Sequence, residues 1–179
     1  MTLVIRPAAL PDIPALHALI ERAYRGEPAR AGWTHEADLL RGPRTDEATL
    51  AAIIADPANA MLIAVEGDGD ASDGEGKGVI IACVQVSDKG GLGYLGQLAV
   101  EPARQTGGLG RTMIAAAEDH AARRGATRME MTVIGDRTEL IAYYTRRGYA
   151  ATGEVRSFPW EMPLSGIPLH LVVMERTLV

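Results

Sequence analysis

Hydrophobic positions follow two periods along the chain. Ile13, Leu16, Leu19, Ile20 and Ala23 recur at steps of three and four and share one face of a helix, with Asp12 placed to cap it and Pro14 in the first turn. A second helical pattern covers residues 46–55, acidic at its start and closed by Pro57, and residues 26–32 between the two read as a break. From Ala60 the period changes. Residues 61–65 and 79–84 are strand-like apolar runs joined by a hairpin loop at 67–78, and a further strand at 94–100 stops before Pro102. Residues 3–5 open the chain as a short strand. Residues 108–124 read as a helix ended by Gly125, 129–134 as a strand, and 138–147 as a helix ended by Gly148; the tail holds two more strands around Phe158-Pro159-Trp160, the last near 169–176. Strand, two helices, three strands, helix, strand, helix and strands, without a repeat or linker, predict one α/β domain spanning residues 1–179.

Composition narrows the partners. The 179 residues are 47% hydrophobic and 23% charged, enough for a core without staples. A net charge of -5 argues against nucleic acid, whose phosphates want a basic face. The apolar runs are too short for a bilayer and the first residues show no secretory leader, so the expectation is a cytoplasmic protein with no membrane partner. Cys83 stands alone, and His17, His35, His120 and His170 lack ligand spacing, so no metal is expected.

Several strings imitate chemical motifs. Residues 91–96 spell G-x-G-x-x-G but lead into a strand, where a dinucleotide site needs a helix. The acidic run 68–74 has the wrong spacing and flanks for a calcium loop, and His35-Glu36 meets Leu39 where a zinc protease has its second histidine. Residues 105–112 are different. Gly107, Gly108 and Gly110 sit between a strand and a helix start, where close backbone approach, free amides and the helix dipole together suit a diphosphate. A Walker A loop fits poorly, because Gln105 replaces its first glycine and Arg111 its lysine.

Gln105-x-x-Gly108-x-Gly110 resembles the Q/R-x-x-G-x-G/A loop of the GNAT superfamily of acyl-CoA-dependent N-acyltransferases. Leu98-Ala99-Val100-x-Pro102 before it, and Tyr144-Thr145-Arg146-Arg147-Gly148-Tyr149 after it, are similar to the same family's strand end and Y-x-x-x-G-F/Y helix end. The resemblance implies a mixed, mostly antiparallel sheet of about seven strands flanked by about four helices, with acetyl-CoA as cosubstrate. It implies that the main chain of Leu98, Ala99 and Val100 pairs with the pantetheine arm. Gln105, Thr106, Gly107, Gly108, Leu109, Gly110 and Arg111 would hold the pyrophosphate, with Thr112 nearby, and Tyr144 would give a proton to the departing thiolate. Arg137, Leu140 or Ile141, and Tyr144 share a helical face at spacings of three and four, while Tyr143 is expected to point elsewhere. Arg137 stands where the family often has asparagine.

The expected reaction is acetyl transfer to a primary amine of a small molecule or peptide. No carboxylate sits on the strand before the loop, leaving Glu36, Glu130 and Glu161 as candidate bases. Trp33 with Glu36, and Trp160 near the C-terminus, are candidates to line a pocket for a cationic or amphipathic amine. The alternative is a non-catalytic acyl-CoA sensor. Dimers are common among the proteins it resembles.

Overall fold

One sheet carries every named strand in the computed structural model, which describes residues 2–67, 78–158 and 163–178. Its seven strands, among the described residues, are β1 (Thr2–Pro7), β2 (Asn59–Gly67), β3 (Val79–Asp88), β4 (Leu92–Val100), β5 (Arg128–Ile134), β6 (Ala150–Ser157) and β7 (His170–Thr177). They lie in the order β1-β2-β3-β4-β5-β7-β6. Every pairing is antiparallel except β4 with β5. The expected loop at 67–78 falls largely outside the described residues.

Helices cover both faces. Met61, Ile63 and Val65 of β2 pack with Ile80, Cys83 and Ala99 against α1 (Ile13–Tyr24) and α3 (Glu47–Ala55). Leu62 and Ala64, pointing the other way, join Val84, Leu95, Met129, Met131 and Met174 against α4 (Leu109–Arg123). Burial on both faces explains why β2 and β3 read as continuous apolar runs rather than alternating ones. Each large side chain so enclosed contributes about 1.5–3 kcal/mol.

Two local features depart from the pattern reading. Asp12 does not cap α1: its carboxylate turns back to take both Arg6 nitrogens at 2.8 Å and the Ala9 amide at 2.8 Å. A bidentate charged pair outcompetes an ordinary cap bond. The expected break after α1 contains a short helix, α2 (Gly26–Arg30), whose Pro28 lies in a first turn that tolerates a missing N–H. A further helix, α5 (Thr138–Thr145), follows β5.

Candidate active site

The site begins with an irregularity in β4. Cys83 pairs with Ala99 but Gln85 pairs with Gly96, so Val84 alone faces both Gln97 and Leu98. This is a β-bulge, and Gln97 takes φ +43°, a left-handed conformation that costs a non-glycine residue about 1–2 kcal/mol. Two bonds hold the bulge: Cys83 Sγ donates to the Gln97 carbonyl at 3.6 Å, and Tyr24 Oη donates to the Leu98 carbonyl at 2.6 Å. β5 pairs with β4 only through Leu92–Arg128, Gly93–Met129 and Tyr94–Glu130. Beyond that point the parallel strands part.

Two cavities open at the parting. A cleft of about 60 Å³ is lined by Trp33, Ala99, Val100, Gln105, Gly110 and Tyr143. A larger one of about 300 Å³ is lined by Gln97, Thr132, Ile134, Glu36, Arg44 and Phe158. Tyr24, Leu98, Arg137, Leu140 and Tyr144 border both. A molecule in one cavity therefore meets a molecule in the other at a wall that contains Tyr144.

Tyr144 is 6% exposed and stands edge-on between Tyr143, centroids 5.3 Å apart, and Tyr149 at 6.0 Å. Burial, reinforced by the neighbouring phenols Tyr24 and Tyr143, pushes its hydroxyl well above the ordinary tyrosine range, against the pull of Arg137 and Arg147. Tyr143 also faces the smaller cavity, contrary to the expectation that it points elsewhere. Adjacent helical residues lie about 100° apart, and a groove is wide enough to be bordered by both. Its ring stacks between Trp33, at 5.2 Å, and the Arg147 guanidinium, at 3.3 Å.

Gly108 starts α4 in the left-handed region, φ +82°. A Cβ at Gly110 would come within 2.8 Å of the Tyr143 hydroxyl, so only glycine leaves room for that phenol beside the helix start. A 3-10 turn, Pro102–Gly107, intervenes between strand and helix. Thr106, Gly107, Arg111 and Thr112 are exposed around the first turn of α4, and Thr112 Oγ1 donates to the Gly108 carbonyl at 3.4 Å. Leu109 is buried, its side chain in the core. The free first amides of a 15-residue helix above an open glycine turn fit a diphosphate group. Gln105 bridges inward, its Oε1 accepting the Trp33 amide at 2.9 Å and its Nε2 donating to the Val100 carbonyl at 3.3 Å. The carbonyls of Leu98 and Val100 thus already have protein donors.

Glu36, read as a candidate base, is enclosed by cations. Arg25 Nη1 lies 2.8 Å from its carboxylate, Arg44 Nε 3.5 Å and Arg137 Nη1 3.6 Å. Arg137 also donates to Thr34 Oγ1. Glu130 is bound by Arg156 at 2.8 and 3.1 Å and borders neither cavity. Trp160 and Glu161 lie outside the described residues. Cys83 is fully buried, and burial pushes its thiol up to about 12, as suits a core residue. No group of three or more His, Cys, Asp and Glu among the described residues is placed to hold a metal, and no helix among them is long and apolar enough to cross a membrane.

Sequence reasoning missed Tyr24, Arg25, Arg44 and Gln97. Tyr24 ends α1, and Arg25 and Arg44 flank a segment between α1 and α3 that carries no periodic signal, so nothing local marks them as part of the site. Gln97 carries no local signal, since nothing in β4 marks the bulge.

Solved structures share this architecture. The ribosomal-protein-S18-alanine N-acetyltransferase of Escherichia coli aligns with TM-score 0.72 at 18% identity, covering 99% of this chain and 94% of that one. A Salmonella typhimurium protein described as an acetyltransferase, solved with its cofactor acetyl-CoA, gives 0.70 at 19%, covering 100% and 95%. A chimeric spermidine N-acetyltransferase from Vibrio cholerae gives 0.68 at 15%, covering 99% and 96%. Comparison with curated proteins returned no match. Residues 15–149, which run from α1 to the glycine-aromatic end of α5 and include the bulge, the glycine turn and Tyr144, match the Acetyltransferase (GNAT) family, and it is to this family that the chain belongs.

Proposed function

We propose that residues 1–179 act as one domain that transfers an acetyl group from acetyl-CoA to a primary amine. The observation that carries the reading is the shared wall: one cavity runs to the glycine turn at the start of α4, the other lies between the parted strands, and Tyr144 borders both. In this reading the diphosphate rests on the amides from Gln105 to Arg111, and the pantetheine arm follows the open edge of β4 along Leu98, Ala99 and Val100, where the carbonyls of Leu98 and Val100 are already engaged. Leu140 and Arg137 flank the thioester end.

The amine attacks the thioester carbonyl, a C–N bond forms, and the C–S bond breaks. Holding the two reactants across one wall supplies most of the rate, and a backbone amide at the bulge polarises the carbonyl. Tyr144 hydrogen-bonds the leaving sulfur and delivers its proton there. The high affinity of this buried phenol for its proton keeps it protonated at neutral pH, and the proton lost by the amine restores it. With Glu36 and Glu130 both ion-paired, the amine releases its first proton to water in the larger cavity.

A binding module without turnover is the second reading, favoured by the ion-paired state of both described candidate bases. Calorimetric titration with acetyl-CoA, with ATP and NADH as controls, followed by thiol release on an amine panel, separates the two. Saturable binding of acetyl-CoA with thiol release supports transfer. Binding without release on any amine supports the module, and no binding overturns both.

A further inference from the structure

The strand floor of the larger cavity is neutral, and its polarity is set in advance. Gln85 of β3, Tyr94 and Gly96 of β4 and Thr132 of β5 all line it. A side-chain amide can turn end for end, but a chain of partners fixes the one on Gln85. The Asp56 carboxylate can only accept, and it takes Asn59 Nδ2 at 2.7 Å. Asn59 Oδ1 therefore faces the other way, where it accepts from Ser87 Oγ at 2.5 Å and from Gln85 Nε2 at 3.3 Å. Gln85 Oε1 is left on the far side of its amide. It takes no hydrogen bond from the described residues and is not sealed from solvent. Gly96 keeps the space beside it clear, since a Cβ there would come 3.4 Å from the Tyr94 ring and 3.7 Å from Gln85 Oε1. Tyr94 Oη and Thr132 Oγ1 share one hydrogen bond at 2.8 Å, so one of their two hydroxyl protons remains to be donated.

A fixed amide oxygen and a spare hydroxyl proton on one floor match a group that both donates and accepts. Resting on the acetyltransferase reading, we propose that the acceptor amine carries a neutral hydroxyl or carboxamide at its far end. That end donates to Gln85 Oε1 and accepts from the Tyr94–Thr132 pair, and the amine lies toward Tyr144. A bare alkyl end would displace water and leave Oε1 without a partner. A second ammonium finds no free carboxylate in the lining among the described residues, because Arg25 holds Glu36 at 2.8 Å. Lys89 also already lies over the Tyr94 ring, 4.1 Å from its centroid. A carboxylate end would set one acceptor against another at Gln85. The cavity, about 300 Å³, is scaled to a small molecule of this kind.

The test measures thiol release from acetyl-CoA with linear primary amines of graded length that end in methyl, hydroxyl, carboxamide, ammonium or carboxylate. Rates are compared at equal concentrations of unprotonated amine, which removes differences in basicity. At its best length a hydroxyl or carboxamide end is expected to exceed the other three at least tenfold in kcat/KM. Gln85→Met is close in volume and lacks the oxygen. Checked for retained urea midpoint and acetyl-CoA binding, it should bring those amines within threefold of the methyl-ended one, through KM. Gln85→Glu keeps an oxygen at the same reach and adds charge, and should move the preference at least tenfold toward the ammonium end. Equal rates, a wild-type preference for any of the other three ends, or a preference unmoved in either variant would overturn the inference while leaving acetyl transfer intact. Should no amine be acetylated, the transfer reading fails, and calorimetry on the CoA-saturated protein decides this one separately. An amino alcohol or amino amide binding at least tenfold tighter than the alkylamine, with the difference lost in Gln85→Met, would sustain it; equal or absent binding would overturn it.

Discussion

Tyr24 and Leu98 are joined by a 2.6 Å hydrogen bond across 74 residues of chain. The bond ties the end of α1 to the bulged turn of β4, and with it the segment that brings Glu36 and Arg44 to the cavity wall, with Arg25 behind Glu36. A bond of this kind contributes about 1 kcal/mol to stability, but its larger effect is positional: both cavities share Tyr24 as a corner.

Tyr144→Phe keeps the edge-on ring contacts with Tyr143 and Tyr149 and removes only the hydroxyl. Calorimetry should show acetyl-CoA affinity changed less than about threefold, while kcat falls about 100-fold or more, the usual loss for a positioned acid. A variant with full kcat would remove Tyr144 from the chemistry.

The three glycines of the turn should separate into different defects. Gly108→Ala places a side chain at φ +82° and should lower stability by about 1–2 kcal/mol in urea melts. Gly110→Ala drives a methyl into the Tyr143 hydroxyl and should weaken acetyl-CoA binding more than it weakens the fold. A Cβ at Gly107 meets nothing within 4 Å, so Gly107→Ala should leave stability unchanged, and any loss of acetyl-CoA affinity there reports contact with the ligand itself.

Alkaline pH should destabilise the protein through buried protons. Burial pushes Tyr24 up to about 12 and the Cys83 thiol up to about 12, and raises Tyr144 and Tyr149 in the same direction. The unfolded chain releases these protons near 10 for tyrosine and about 8.5 for cysteine, while the folded protein keeps them. Stability is therefore complete below about pH 8.5 and declines as pH rises toward about 12. Urea midpoints taken from about pH 8 to about pH 11 should fall steadily. Cys83→Ala should flatten the lower part of that slope and Tyr24→Phe the upper part; a midpoint independent of pH would contradict the burial of these groups.

Glu36→Gln leaves Arg25, Arg44 and Arg137 facing one another and should cost about 3–5 kcal/mol, as loss of one member of a buried ion pair does. Adding Arg25→Met removes the cation nearest to Glu36 and should return at least about 1 kcal/mol. Strictly additive losses in the double variant would show that the two side chains do not act as a pair.

The parts of the site that could be read from sequence are those encoded within a few residues of chain. Gly108 and Gly110 announce a turn into a helix, and the spacing of Tyr144 from Gly148 announces a helix end. The alternation of β2 between Met61, Ile63 and Val65 on one face and Leu62 and Ala64 on the other was hidden by burial on both sides, yet the run still read as a strand. The arginine cluster was not legible. Its members come from three separate segments, and an arginine in a loop has the same sequence signature whether it is solvated or enclosed. Helical spacing ranks single faces and so passes over Tyr143, whereas a groove collects two adjacent ones.

The short pairing of β4 with β5 divides the sheet into a block of four strands and a block of three, each internally antiparallel. Three residue pairs join the blocks within the sheet, and α4 lies across the join, touching β2, β3, β4 and β5. A ligand lodged where the strands part touches both blocks and acts as a rivet between them. Part of the resistance of this seam to opening, and hence the slowest amide exchange along it, would then belong to the occupied enzyme rather than to the polypeptide alone.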